Sequence, residues 1–348
     1  MTDQPFKTSG RITREKAAAA FAELAPDEDA DLADAKAPAT WQQYRSAWAV
    51  FTSWCEQQAV APLPAAPPTL RGYVKHLGAE GRAASTIEAH VAAIATVHRL
   101  NGHAIDRTLI VEHLKAARRR GRAPRRARPL RVADVQGILK GLDSAVARDC
   151  RDAVVLLIGS AGAMRSAELV GLDWMRPGSA DTGGTGFVSI EREGVLVTLL
   201  RSKASQVTPQ EIPLPFREVP PLAGWLERWI EIAIVLPGEP ILRPITRTGA
   251  IRRARLAPGA LTAILKARAV ALARSRGLSE LEAINWASRI TSHCLRRGYA
   301  TSASEAGLAL GDIRKRTRHA DDATLAGYIA TAEGWTTTGL AGLWTDDA

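Results

Sequence analysis

The sequence contains few cysteines. Three occur in 348 residues, Cys55, Cys150 and Cys294, and they are far apart and odd in number. They therefore form neither a disulfide framework nor the paired thiols of a zinc site. Free thiols are typical of a reducing compartment, so the sequence predicts a cytoplasmic protein.

A long hydrophobic run is also absent. The longest apolar stretch, AVVLLIGSAGAM, is too short and too rich in glycine to cross a bilayer, so it is interpreted as a buried core helix. The first residues, MTDQPFKTSGRITREK, lack the apolar segment of a secretory signal. These features predict no association with membranes.

Motifs for nucleotides and metal ions are incomplete. The TGGTG sequence lacks the Gly-Lys-Ser/Thr end of a phosphate-binding loop. Asp27, Asp29 and Asp31 have the spacing of a calcium loop, but Leu32 stands where that loop needs glycine and Pro38 where it needs glutamate. We therefore expect neither a cofactor nor a metal ion.

The sequence does have an excess of positive charge. With 46% apolar and 24% charged residues the composition is that of a folded protein, and the length suits two domains. The formal net charge is +10. A basic protein attracts polyanions, of which nucleic acid is the most common in the cytosol. A general bias toward arginine is the alternative, so the distribution of charge has to decide.

The first third of the chain begins with an acidic stretch, PDEDADLADAKAP, and then changes to helical patterns. Thr40 with Gln43 and Ser85 with Glu88 fit capping boxes, each followed by apolar residues at three- and four-residue steps. The sequence thus predicts a flexible segment over residues 1–38 and a domain of four or five helices over residues 39–117.

An arginine-rich linker is predicted over residues 118–129. It contains seven arginines and no acidic residue, together with glycine and proline. A run of one sign repels itself unless an anion neutralises it, which favours contact with DNA phosphates over a merely solvated run. The candidate DNA-binding residues are Arg118, Arg119, Arg120, Arg122, Arg125, Arg126 and Arg128.

Residues 130–348 are predicted to form a larger domain. The segments GFVSIE and GVLVTLLRSK indicate strands, and Ser279 with Glu282 fits a capping box. Helices are predicted over residues 132–142, 147–163, 222–235, 258–276, 280–288, 293–306 and 323–332. The fold class is therefore mainly α with a small β-sheet, in two domains.

Two pairs of polar residues in this domain are candidates for a functional site. Arg165 follows the buried helix, and Glu168 can hold its guanidinium group, although a structural ion pair is the alternative. His293 and Arg296 are three residues apart at a helix start that Ser292 is expected to cap. The positive end of that helix adds to their attraction for an anion.

Three further candidates are weak when taken one at a time. Lys203 lies where an apolar strand breaks into a polar turn, and an exposed turn lysine usually has no role. His319 and Tyr328 stand nine positions apart in HADDATLAGY, directly after RKRTR. A tyrosine on an amphipathic helix is usually a packing residue.

Together these residues suit displacement at a phosphodiester. Arginines can bind its non-bridging oxygens bidentately, and histidines add donors. A tyrosine hydroxyl, ionised to about one part in a thousand at pH 7, needs cationic surroundings or a base to act as nucleophile. A lysine can protonate the departing sugar alkoxide. Tyr328 is therefore the predicted nucleophile, and without a cluster of carboxylates the chemistry needs no divalent metal.

In order and approximate spacing these residues resemble the Arg…Lys…His-x-x-Arg…His/Trp…Tyr series of the tyrosine recombinases of the phage-integrase family. The resemblance covers residues 39–348, and LERWI with the C-terminal layout is similar to the Cre branch. It implies two domains around double-stranded DNA with inverted-repeat sites, a 3′-phosphotyrosyl intermediate, and a homotetramer assembled on DNA from free monomers. In Cre-like proteins a tail such as residues 333–348 packs into a neighbouring subunit; docking on its own core is the alternative.

The resemblance also implies a role for each candidate. Arg165 and Arg296 would bind the scissile phosphate, and Glu168 would orient an arginine. The other expected catalytic residues are Lys203 as proton donor to the leaving group, His293 as acid/base, His319 as donor to a phosphate oxygen and Tyr328 as nucleophile.

Two positions depart from a simple match. Arg201 competes with Lys203 because it lies two residues earlier on the same hairpin. Arg318 stands where the family usually has glycine, which leaves the backbone conformation before His319 open. The alternatives to a recombinase are a type IB topoisomerase and a catalytically silent DNA-binding protein.

Overall fold

The computed structural model describes residues 38–105, 108–120, 127–176, 184–200 and 209–318. This part of the chain is mainly helical and contains one four-stranded sheet, so the predicted fold class is confirmed. The chain divides into two compact units, Met1–Pro124 and Arg125–Ala348. None of the helices described combines the length and apolar character needed to cross a bilayer. The expected helix over residues 323–332 and the segment 1–37 lie outside the described residues.

The first unit packs its helices around an aromatic core. Trp48, Phe51 and Tyr73 are buried with Ile87 and Ile94, and the rings of Phe51 and Tyr73 meet edge to face with centroids 5.0 Å apart. The helices are α1 (Pro38–Gln57), α2 (Pro67–Ala79), α3 (Ala84–Leu100) and α4 (Thr108–Arg120).

Both capping boxes predicted for this unit are wrong. Helix α1 already begins at Pro38, a residue that suits a first helical turn because it needs no hydrogen-bond acceptor, so Thr40 lies inside the helix. Helix α3 begins at Ala84, and no side chain caps it. The Glu88 carboxylate instead accepts from the Arg118 guanidinium at 2.6 Å.

The arginine-rich linker begins later than expected because α4 continues to Arg120. Arginine is a good helix former, and positive side chains are favourable in the last turn of a helix. Arg118 and Arg119 are exposed on this helix, and Arg118 is paired with Glu88.

The second unit surrounds α6, a helix whose residues Cys150–Ser160 are all buried. This unit contains α5 (Val132–Leu139), α6 (Ala147–Ala161), α7 (Ser166–Val170), α8 (Leu222–Ala233), α9 (Pro258–Ser275), α10 (Glu280–Ser288), α11 (Cys294–Glu305) and α12 (Leu310–Thr317). Helix α12 was not predicted, because only Ile313 and Thr317 of its eight residues are buried.

The sheet has the order β1-β2-β3-β4, with β1 and β2 parallel and the other pairs antiparallel. Its strands are β1 (Leu172–Trp174), β2 (Gly186–Ile190), β3 (Gly194–Leu199) and β4 (Gln210–Pro215). The two central strands match the predicted segments. The edge strands were missed because β1 is three residues long and β4 contains Pro213, which only an edge strand tolerates well.

Residues 127–131, part of which was expected to be linker, pack along the α10–α11 region. The Leu130 amide donates to the Cys294 carbonyl at 3.0 Å, and the Arg128 guanidinium lies 4.5 Å from the ring centre of Trp286. A β-carbon at Gly298 would lie 1.6 Å from the Leu130 carbonyl oxygen, so this approach requires glycine. We call residues 127–131 the entry segment.

Candidate active site

The site begins at the carboxyl end of α6. That helix ends at Ala161, two residues earlier than predicted, because Ala163 adopts a left-handed conformation with φ of 45°. The chain then extends through Arg165, whose side chain is 20% exposed. The turn therefore directs an arginine from a buried helix to the surface, as the sequence indicated.

Glu168 holds this arginine. Its carboxylate accepts from Arg165 Nη1 at 2.5 Å and from the Arg165 backbone amide at 2.9 Å, and the residue is only 4% exposed. Burial alone would raise the pKa of Glu168, but the charge of Arg318 and the bonds from Arg165 outweigh it and hold that pKa below its usual value. Glu168 is therefore charged at neutral pH.

Arg318 joins the same cluster, and the sequence reasoning did not assign it to the site. Its Nη2 donates to Glu168 Oε2 at 2.8 Å, and its Nη1 donates to the Gly162 carbonyl at 3.0 Å. Its own carbonyl accepts from Arg165 Nη2 at 3.1 Å. With φ of 53°, Arg318 occupies the left-handed conformation in which glycine is usual. The sequence signal for the part that Arg318 takes in this cluster was an arginine at a position where glycine was expected.

Arg296 reaches the same turn from α11. It is 2% exposed, and its Nη1 donates to the Ala163 carbonyl at 3.0 Å. The expected Ser292 cap is wrong, because α11 begins at Cys294 and His293 occupies the capping position without a side-chain cap bond. His293 is exposed, three residues before Arg296 at the amino end of this helix.

The arrangement can bind an oxyanion. Arg296 and Arg318 both donate to carbonyls of the 162–168 turn, which itself contains Arg165, and Glu168 pairs with Arg165 and Arg318. Three guanidinium groups therefore converge on this turn, where Arg165 is partly exposed. Guanidinium groups bind phosphate oxygens through paired hydrogen bonds, so a phosphodiester fits the charge and the donors.

Several predicted site residues are not part of this geometry. Lys203, its competitor Arg201, His319 and Tyr328 lie outside the described residues, as do Arg122, Arg125 and Arg126. Arg128 is described and stacks on Trp286, so it has a protein contact. Within the described ranges no group of three or more His, Cys, Asp or Glu is placed to hold a metal ion.

The known proteins to which this chain is similar are recombinases and integrases. No family model matches the chain. An integrase/recombinase xerD homolog of Selenomonas ruminantium is 28% identical over 307 residues, which cover 86% of this chain and 83% of that protein. The XerH site-specific recombinase in a post-cleavage complex with palindromic difH substrate has a TM-score of 0.54 at 12% identity, covering 86% of this chain and 79% of that chain. The Tn1549 transposon integrase with transposon right end DNA has a TM-score of 0.50 at 13% identity, covering 94% and 99%.

Proposed function

We propose that the chain is a tyrosine recombinase of the integrase family, a site-specific enzyme that cleaves and rejoins DNA through a 3′-phosphotyrosyl intermediate. Its similarity to the integrase/recombinase xerD homolog supports this proposal. One structural observation carries this proposal. Arg165 lies in the turn at residues 162–168, and Arg296, which comes from α11, donates to the Ala163 carbonyl of the same turn. Two arginines brought together from distant elements form a clamp for one phosphate.

In the proposed reaction, Arg165 and Arg296 bind the non-bridging oxygens of the scissile phosphate. The Tyr328 oxygen forms a bond to phosphorus while the bond from phosphorus to the 5′ oxygen breaks, and the tyrosine proton passes to His293. Lys203 protonates the departing 5′ oxygen, and His319 donates to a phosphate oxygen. Rejoining is the reverse displacement. Because one phosphate diester replaces another, no nucleotide is consumed.

The proposed partner is double-stranded DNA with inverted-repeat sites. Support comes from the relatives, since XerH is described with a palindromic substrate and the Tn1549 integrase with transposon end DNA. We further propose that a free monomer assembles into a homotetramer on DNA, in the cytoplasm, without a cofactor. The finer assignment to the Cre branch stays a prediction.

Covalent capture tests this function. The wild-type protein and the Tyr328→Phe variant are incubated with a library of duplexes that contain randomised inverted repeats, the reactions are stopped with SDS, and the attached DNA is sequenced. We expect adducts with the wild type alone, enriched for one palindrome-like sequence, because the variant lacks the oxygen that attacks phosphorus.

The other outcomes separate the alternatives. Adducts without sequence preference would favour a type IB topoisomerase. Salt-sensitive binding without any adduct would favour a silent DNA-binding protein. Equal adducts with the Tyr328→Phe variant would exclude this residue as the nucleophile.

A further inference from the structure

Arg318 adopts a backbone conformation that is unfavourable for any residue with a β-carbon. Its φ of 53° and ψ of 43° are left-handed, which costs a residue with a β-carbon about 1 kcal/mol relative to glycine. The residue ends α12, where glycine would satisfy the same turn without strain. Contacts of the side chain must offset this cost.

Those contacts are made in a buried place. The Arg318 side chain is 8% exposed, and burial lowers the pKa of its guanidinium, whereas the neighbouring Glu168 charge opposes this change. Besides Glu168 and Gly162, the group donates to the Ala163 carbonyl at 3.3 Å and to the Arg316 carbonyl at 3.0 Å. A planar guanidinium with several donors can bridge such acceptors, and a lysine ammonium cannot reproduce that pattern.

The contacts connect Arg318 to both arginines of the clamp. Arg318 is connected to Arg165 in two ways. Glu168 pairs with the guanidinium groups of Arg165 and Arg318, and Arg165 Nη2 donates to the Arg318 carbonyl. Arg296 is reached through the Ala163 carbonyl, which accepts from Arg296 and from Arg318. The side chain of Arg318 therefore ties α12 to the turn that carries one arginine and anchors the other.

We propose that Arg318 is a positioning residue that sets the relative placement of Arg165 and Arg296, and so the geometry of the phosphate clamp. This rests on the proposed function of the site. Arg318 itself contacts carbonyl groups and Glu168, and it acts on the reaction through the two arginines. A misplacement of about 1 Å can cost about 100-fold in rate, so the effect on cleavage should exceed the effect on DNA affinity.

The test uses Arg318→Gly, which keeps the left-handed turn and removes the guanidinium group, and Arg318→Lys, which keeps the charge without the planar fork. Lys315→Gln is the matched control, because it removes one positive charge from an exposed position on the same helix. Hydrogen exchange is measured first, on the full-length proteins without DNA. We expect Arg318→Gly to speed exchange in residues 162–168 and 294–298 and Lys315→Gln to leave it unchanged. Unchanged exchange in both segments for Arg318→Gly would overturn the proposal.

Cleavage is measured next in single turnover, on the duplex recovered by covalent capture and on the same duplex with a methylphosphonate at the scissile position. The methyl group removes one charged oxygen, so the reaction depends less on the arginine clamp. Arg318→Gly and Arg318→Lys should cleave the phosphodiester about 10- to 100-fold more slowly than wild type at nearly unchanged affinity, and the deficit should shrink on the methylphosphonate. An equal deficit on both substrates would mean a structural role only.

A protein that forms no adduct would refute the proposed function without deciding the role of Arg318. Binding of inorganic tungstate, an oxyanion, then serves as the probe. Arg318→Gly should weaken tungstate binding at least about fivefold relative to Lys315→Gln if it misplaces the two arginines. Equal tungstate affinity for the two variants would overturn the proposal.

Discussion

At the scale of one residue, the charge of Glu168 makes the stability of the fold depend on pH. Its pKa is held low by the charge of Arg318 and the bonds from Arg165, against the opposing effect of burial. A carboxyl group whose pKa is lower in the folded state stabilises the fold above its unfolded pKa, about 4.3. That contribution is lost as the pH falls through the lower folded pKa.

We therefore expect Glu168→Gln to lower the free energy of unfolding by about 3 kcal/mol at pH 7, since it leaves the buried Arg318 and the partly exposed Arg165 without their counter-charge. The difference from wild type should narrow once the pH falls below the unfolded pKa of about 4.3, and it should disappear as the pH falls through the lower folded pKa of Glu168. Urea unfolding of both proteins across this range measures it. Glu305→Gln, which removes a more exposed partner of Arg131, should cost less than about 1 kcal/mol. A constant difference down to the lowest pH would show that the Glu168 charge is not responsible.

The sequence allowed part of this cluster to be predicted. Arg165 and Glu168 are three residues apart, so their pairing follows from local helix geometry. The contact between Glu168 and Arg318 joins residues far apart in the chain and depends on the end of α12 meeting α7. Hydrophobic periodicity does not predict contacts between distant helices. Because glycine was expected at position 318, no role was considered for the Arg318 side chain.

At the scale of the element, capping motifs in the sequence bear on where each helix begins. Ser279 is the predicted cap of α10, and both halves of its box with Glu282 form: the Ser279 amide donates to Glu282 Oε2 at 2.9 Å, and Glu282 N donates to the serine hydroxyl. The same motif failed at Ser85 because Glu88 found a partner on another helix. A Ser-x-x-Glu motif therefore fails to mark a helix start where its glutamate pairs with a residue of another helix.

Ser279→Ala should lower the free energy of unfolding by about 1 kcal/mol, because the first turn of α10 is then left without its side-chain cap. Urea unfolding and the exchange of the Glu282 amide measure the effect. Ser288→Ala is the control at the opposite end of α10, where an exposed hydroxyl donates to the Asn285 carbonyl, and it should change stability by less than about 0.5 kcal/mol. Equal destabilisation by both variants would mean that the cap does not stabilise α10.

At the scale of the whole molecule, the excess of positive charge is expected to govern the salt dependence of DNA binding. Of the seven candidate DNA-binding arginines, Arg118 pairs with Glu88 and Arg128 stacks on Trp286. These two arginines therefore have protein contacts that compete with phosphate. We expect the salt dependence of DNA binding to come from the other five candidates, which are Arg119 and Arg120 of α4 and the three that follow α4, Arg122, Arg125 and Arg126.

Replacing those three arginines with glutamine should flatten the plot of log affinity against log salt by up to about 0.9 for each arginine that neutralises a phosphate. Titration of a fluorescent random-sequence duplex at several salt concentrations measures this slope. Arg128→Gln should leave the slope unchanged. An equal change after glutamine replacement of three exposed arginines of the second unit, Arg217, Arg247 and Arg252, would show that net charge alone sets the slope.

The entry segment has a consequence for exchanging modules between recombinases. Leu130 is fully buried, and its carbonyl lies where only Gly298 leaves room for it. The natural junction for such an exchange therefore falls before Ala127, although proline and arginine continue to Arg128 and Pro129. A chimaera joined after Leu130 would place a foreign segment against Gly298, whereas one joined before Ala127 would transfer the second unit together with the segment that packs on its own helices.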